Sequence, residues 1–121
     1  MLAVALAVGG HRHERLQQLI HEELDSLVRE ELLDPRAAGV RVVSVALSID
    51  YRSVRAGFIT DDESPAAVQR AERALARAVP FLRARLAEAV GMKRTPDLRF
   101  VHDAVAAGER RARQILDEKK G

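Results

Sequence analysis

Arginine dominates the chemistry that this sequence offers. Between Pro65 and Phe100 stand Arg70, Arg73, Arg77, Arg83, Arg85, Lys93, Arg94 and Arg99, eight cations against the three acids Glu72, Glu88 and Asp97. Arg70, Arg73 and Arg77 step by three and four, which places them on one helix face, opposite Leu75. A guanidinium presents paired donors that match phosphate oxygens, so such a row suits the backbone of a nucleic acid. Its competitor is an ordinary helix surface laced with ion pairs.

Other reactive groupings are weaker. His11, His13 and His21 lie near Glu14 and Glu22, but no HExxH spacing exists, and these residues read as a polar, solvent-exposed helix end. Asp97 and Asp103 have no companion nucleophile or histidine at a useful spacing and read as strand-end and turn residues. No GxGxxG, Walker or GxSxG motif occurs, and the seven glycines are scattered. The expectation is therefore a protein that is not an enzyme, with no metal, cofactor or small-molecule substrate. The absence of cysteine excludes disulfides and thiolate metal sites and suits a reducing compartment, the cytoplasm by default. One Tyr and three Phe are too few to line a groove with stacking platforms.

The frame that must carry the arginines is small. With 121 residues, 47% apolar and 31% charged, the chain has the composition of one globular domain. The net charge of +2 is unevenly spread: residues 11–64 hold 7 Lys and Arg against 11 Asp and Glu, whereas residues 65–121 hold 13 against 7. A basic second half is the electrostatic footprint of a surface that meets a polyanion. No apolar run approaches the roughly 20 residues of a membrane span. The longest, Met1–Val8, is followed by Gly9-Gly10, and residues 1–10 read as a loose leader.

From Leu16 an apolar stripe of Leu16, Leu19, Ile20, Leu24, Leu27, Val28 and Leu32 predicts a helix over about 13–33, stopped at Asp34-Pro35. Alternation of Val43, Val45, Leu47 and Ile49 predicts a strand within 40–49, and 54–60 its hairpin partner, with Gly57 marking a bulge or a close backbone approach. Ser64-Pro65 starts a helix, Gly91 ends one, and Pro80 splits the segment so that two helices meet at Ala78-Val79-Pro80. Residues 97–102 predict a third strand and 108–120 a terminal helix that frays. The simplest packing is α+β, a three-stranded sheet covered on one face by helices.

This order, with Arg12-x-x-Arg15-Leu16, Asp34-Pro35-Arg36, Val45-x-Leu47-Ser48-x-Asp50, Phe81-Leu82-Arg83 and Thr95-Pro96-Asp97-Leu98-x-Phe100-x-x-Asp103, resembles the ribosome-binding factor A family from about Arg12 to Leu116. The resemblance implies a type II KH-like domain over 11–104 with a helix or tail over 105–121. In that family an Ala-x-Gly kink between two central helices replaces the GxxG loop; here the match is Ala78-Val79-Pro80, with Pro where Gly is usual. Val105 stands where the family tends to have Ser, and Gly57 where a larger residue is common. What the resemblance implies is a monomeric, non-catalytic protein that binds free 30S subunits. It would assist late maturation and processing of 16S rRNA near its 5'-terminal helix, with a link to cold adaptation. Arg70, Arg73, Arg77, Arg83, Arg85, Lys93 and Arg94 would then contact rRNA phosphates. The rivals are a KH-like module with another RNA target and a protein-interaction domain that docks through the first helix or Met1–Val8.

Overall fold

A computed structural model describes the backbone of residues 2–120 and the side chains of residues 11–120. Helix α1 covers Leu2–Glu30, a 3-10 turn Pro35–Ala37, strand β1 Arg41–Leu47, β2 Ser53–Ile59, helix α2 Pro65–Val90, β3 Asp97–His102 and helix α3 Ala104–Lys120. The sheet order is β1-β2-β3, with β1 and β2 an antiparallel hairpin and β2 and β3 parallel. The parallel pair requires a crossover, and α2 supplies it. The α+β architecture is the one expected: α1 and α2 cover one face of the sheet, and the core between them holds Ile20, Leu24, Val28, Val54, Phe58, Leu75, Leu82 and Leu86. Burial alternates along most of β2, with Val54, Ala56 and Phe58 buried and Arg55 facing away, before both Phe58 and Ile59 are buried at its end.

Local chemistry fixes the ends of α2. The Ser64 side chain accepts from Ala67 N–H, Pro65 opens the helix, and Gly91 closes it at φ 69. The two helices expected to meet at Ala78-Val79-Pro80 are instead one 26-residue helix with Pro80 inside it. Proline removes only its own N–H from the ladder, and buried residues on both sides of it, Leu75 and Leu82, hold the two halves to the same sheet.

Four further expectations are corrected. Helix α1 ends at Glu30, not Leu33: Glu31 N–H still bonds to Leu27 C=O, but Asp34 is extended before its proline, and Leu33 is 92% exposed. In β1 the register shifts between Val42 and Ser44, so Val42 takes the inward place assigned to Val43, while Ile49 lies beyond the strand and is 90% exposed. Helix α3 begins at Ala104, four residues early, because Asp103 accepts from Ala106 N–H at 2.9 Å and caps it; α3 buries no residue. Gly57 is a close approach, since a Cβ there would stand 2.2 Å from Ser44 Oγ. The first helix, expected from about residue 13, already begins at Leu2 and so takes in most of the segment expected as a leader, 1–10, whose side chains lie outside the described residues.

His13 and His21 do not form a solvated helix end. The Nε2 of His13 donates to Leu47 C=O at 2.8 Å, and that of His21 to Val42 C=O at 2.8 Å. Gln17 accepts from Leu47 N–H at 2.8 Å, and Asp25 from Val42 N–H at 2.9 Å. Residues 13, 17, 21 and 25 thus form one row at intervals of four, aimed at the backbone of β1.

Candidate nucleic-acid interface

The burial of Val68, Ala71, Leu75, Leu82 and Leu86 fixes how α2 is rotated against the sheet, and that rotation leaves Arg70, Arg73 and Arg77 exposed along its outer face. Among the described residues none of the three has a carboxylate within 4.0 Å. Lys93 and Arg94, just past Gly91, are exposed and also unpaired in this sense.

The other two candidates are committed within the chain. Arg83 donates through Nε to Pro96 C=O at 2.8 Å and through a terminal nitrogen to Thr95 C=O at 3.2 Å, with Asp97 at 3.6 Å. It clasps α2 to the loop that leads into β3. Arg85 pairs with Glu31 at 2.8 Å and lies over the Phe81 ring, 5.8 Å from its centroid, tying α2 to the end of α1. The structure therefore brings together Arg70, Arg73 and Arg77 and sets Arg83 and Arg85 apart. Residues Ala78 and Val79 are half-buried and Pro80 is exposed.

The remaining ion pairs are structural as well. Asp25 joins Arg29 and Arg41, Arg110 reaches Asp61, and His102 meets Glu63. The Asp34 carboxyl is held down to about 2, first by the side chain of Arg36, then by its backbone N–H, with a smaller contribution from the charge of Arg77. The Asp62 carboxyl is also lowered, mainly by Ser64 N–H, then by its hydroxyl, with Arg70 contributing charge. Arg70 and Arg77 are thus flanked by carboxylates that stay ionised but do not bond to them.

Two cations that the sequence reading left out of the site lie on the opposite side of the sheet. Arg55 and Arg99 are register partners in the parallel β2–β3 pair, and both point away from the helices. The signal for them was present in the sequence: charged residues alternating with buried Val54, Ala56 and Leu98 and half-buried Phe100. An open cleft of about 570 Å³ separates the β1–β2 turn from the C-terminal end of α2, with Leu16, Val90 and Met92 on its walls and Arg52, Lys93 and Arg94 around it.

Among the described residues no group of three His, Asp or Glu is placed to hold a metal ion, and no helix is long and apolar enough to cross a membrane. Asp97 and Asp103, weighed as an acid–base pair, serve the Arg83 contact and the α3 cap.

The chain is similar to known proteins along most of its length. The family pattern described as "Ribosome-binding factor A" matches residues 12–116. A ribosome-binding factor A of Ruthia magnifica subsp. Calyptogena magnifica is 32% identical over 108 residues, covering 89% of this chain and 94% of that protein. The crystal structure of ribosome-binding factor A from Thermus thermophilus is 32% identical with a TM-score of 0.58, over 77% of this chain and 92% of that one. A homology model of the Thermus thermophilus factor, fitted into a cryo-EM map of its complex with the 30S subunit, is 33% identical with a TM-score of 0.55, over 76% and 91%.

Proposed function

The chain belongs to the ribosome-binding factor A family, and on that premise we propose that it binds free 30S subunits in the cytoplasm and assists their late maturation without making or breaking a bond. Its target is 16S rRNA near the 5'-terminal helix, whose processing it promotes, and the link to cold adaptation follows from the same role. One observation carries the reading at the level of residues: Arg70, Arg73 and Arg77 form an exposed row that forgoes every carboxylate within 4.0 Å among the described residues, while Arg29, Arg36, Arg41, Arg85 and Arg110 are all paired. Such a row binds phosphates and releases counterions. Lys93 and Arg94 extend it beyond Gly91. Arg83 and Arg85 hold the fold that presents it.

Co-sedimentation with purified small subunits across a salt titration tests this. Replacing Arg70, Arg73 and Arg77 together by Ala lowers the slope of log affinity against log salt by about 2 to 3, one phosphate for each guanidinium. Arg83→Ala destabilises the domain and leaves that slope alone. An unchanged slope in the triple variant overturns the site. In cells, deletion leads to accumulation of unprocessed 16S precursor, and a normal subunit profile counts against the assembly role.

A further inference from the structure

The turn between β1 and β2 contains a residue in an unfavourable conformation. Tyr51 N–H donates to Ser48 C=O at 2.9 Å, and Tyr51 then adopts φ 62, the one left-handed non-glycine residue among those described. That corner of a hairpin normally belongs to Gly or Asn, because a Cβ crowds the backbone there. Here it holds the only tyrosine of a chain with 3% aromatics.

The conformation directs the ring to a particular place. It stands 5.4 Å from the His13 imidazole, edge to face at 65°, and His13 is itself anchored on the carbonyls of Leu47 and Ser48. Tyr51 remains 37% exposed and borders the cleft walled by Leu16, Val90 and Met92. Arg52, Lys93 and Arg94 surround that cleft, and among the described residues none has a carboxylate within 4.0 Å. Asp50, the acid at the same rim, is already used: its carboxylate accepts from the Ser48 hydroxyl at 2.6 Å and from Arg52 N–H at 3.1 Å.

An apolar cleft with one braced aromatic ring and three uncommitted cations matches one kind of ligand, a flat apolar group joined to phosphates. We propose that this cleft captures an unpaired nucleotide of RNA, its base stacked on Tyr51 and its flanking phosphates held by Lys93, Arg94 and Arg52. The inference rests on the rRNA reading and deepens it. The α2 row grips backbone irrespective of pairing, whereas this cleft accepts only a base that has left its helix. Charge favours RNA over an apolar peptide, since Asp50, the one carboxylate lining the cleft, offsets only one of the three cations.

The sole tyrosine makes the test direct. Tyrosine-labelled protein is titrated by NMR with a short mixed-sequence single-stranded RNA and with the same strand annealed to its complement. Stacking moves the Tyr51 ring protons upfield with the single strand and not with the duplex. In anisotropy titrations Tyr51→Phe keeps the single-strand affinity, and Tyr51→Gly loses about 5- to 150-fold of it with no change for the duplex. Glycine suits the positive φ, so the variant keeps its fold; should it fail to, the wild-type NMR titration still decides. Tyr51 resonances that stay still with the single strand overturn the inference, as does an equal loss on both probes. A wild-type protein that binds neither RNA nor small subunits overturns it together with the rRNA reading. Persistent subunit binding with an unmoved Tyr51 overturns it alone.

Discussion

Asp25 is where the polar row of α1 meets the sheet, and its removal should be among the costliest single changes outside the apolar core. The residue is 8% exposed, and its carboxylate accepts from Arg29 Nε at 3.1 Å, from Arg41 at 3.2 and 3.1 Å, and from Val42 N–H at 2.9 Å. Asp25→Ala strands the buried Val42 N–H, at about 1–3 kcal/mol. The two arginines are half-exposed, so each lost pair adds only about 0.3–1 kcal/mol after solvent screening. The sum is about 2–5 kcal/mol, or a fall in Tm of about 6–25 °C for a domain of this size. Asp25→Asn keeps an acceptor for Val42 N–H and should cost about half as much.

Equilibrium urea unfolding followed by circular dichroism measures both variants, and its pH dependence checks the electrostatic share. Burial alone would raise the Asp25 pKa. The Arg41 hydrogen bonds, Val42 N–H and the charges of Arg41 and Arg29 outweigh it, and the carboxyl lies below its ordinary 3.8. A folded pKa below the unfolded one contributes stability that is present above the unfolded value and disappears as pH falls through the folded one. The gap between wild type and Asp25→Ala is therefore full at neutral pH and narrows below about pH 4. A loss under about 0.5 kcal/mol, within the range of plain surface changes, or a gap that widens in acid, would refute the reasoning.

Pro80→Ala restores the missing ladder bond of α2 and, because the helix already runs through this position, should raise stability by about 1–2 kcal/mol in the same assay. A loss instead would mean that the packing of Ala78 and Val79 depends on a bend. Gly57→Ala puts a Cβ 2.2 Å from Ser44 Oγ and should cost about 1–3 kcal/mol. Ser44→Ala removes that oxygen and leaves the Ser44 Cβ at 3.6 Å, so a double-mutant cycle should show most of the cost recovered, and purely additive losses would refute the contact.

Signals confined to a few consecutive residues were legible. Ser64-Pro65 and Gly91 delimit α2, and the alternation of Leu98 and Phe100 delimits β3 at Asp97–His102, all as read from the sequence. What the sequence hid depends on partners far along the chain. The role of His13 and His21 requires β1, 21 to 35 residues further along the chain, to lie on α1's inner side, and the β1 bulge, which exchanges Val42 for Val43, has no local signature. The same holds for the arginines. Spacing put Arg70, Arg73 and Arg77 on one face, but only tertiary contacts with Pro96, Thr95 and Glu31 separate Arg83 and Arg85 from them. The backbone of Tyr51 was equally hidden, because nothing in Asp50-Tyr51-Arg52 marks a left-handed residue.

The α1 row has a consequence for how the molecule behaves in a crowd. β1 is an outer strand of the sheet, and an outer strand offers unpaired amides on which a neighbouring chain can template itself. Val42 and Leu47, near its two ends, have both N–H and C=O occupied by Asp25, His21, Gln17 and His13. A strand added along that border would have to displace these four side chains at both ends of β1, a cost that the open edge of β3 does not impose.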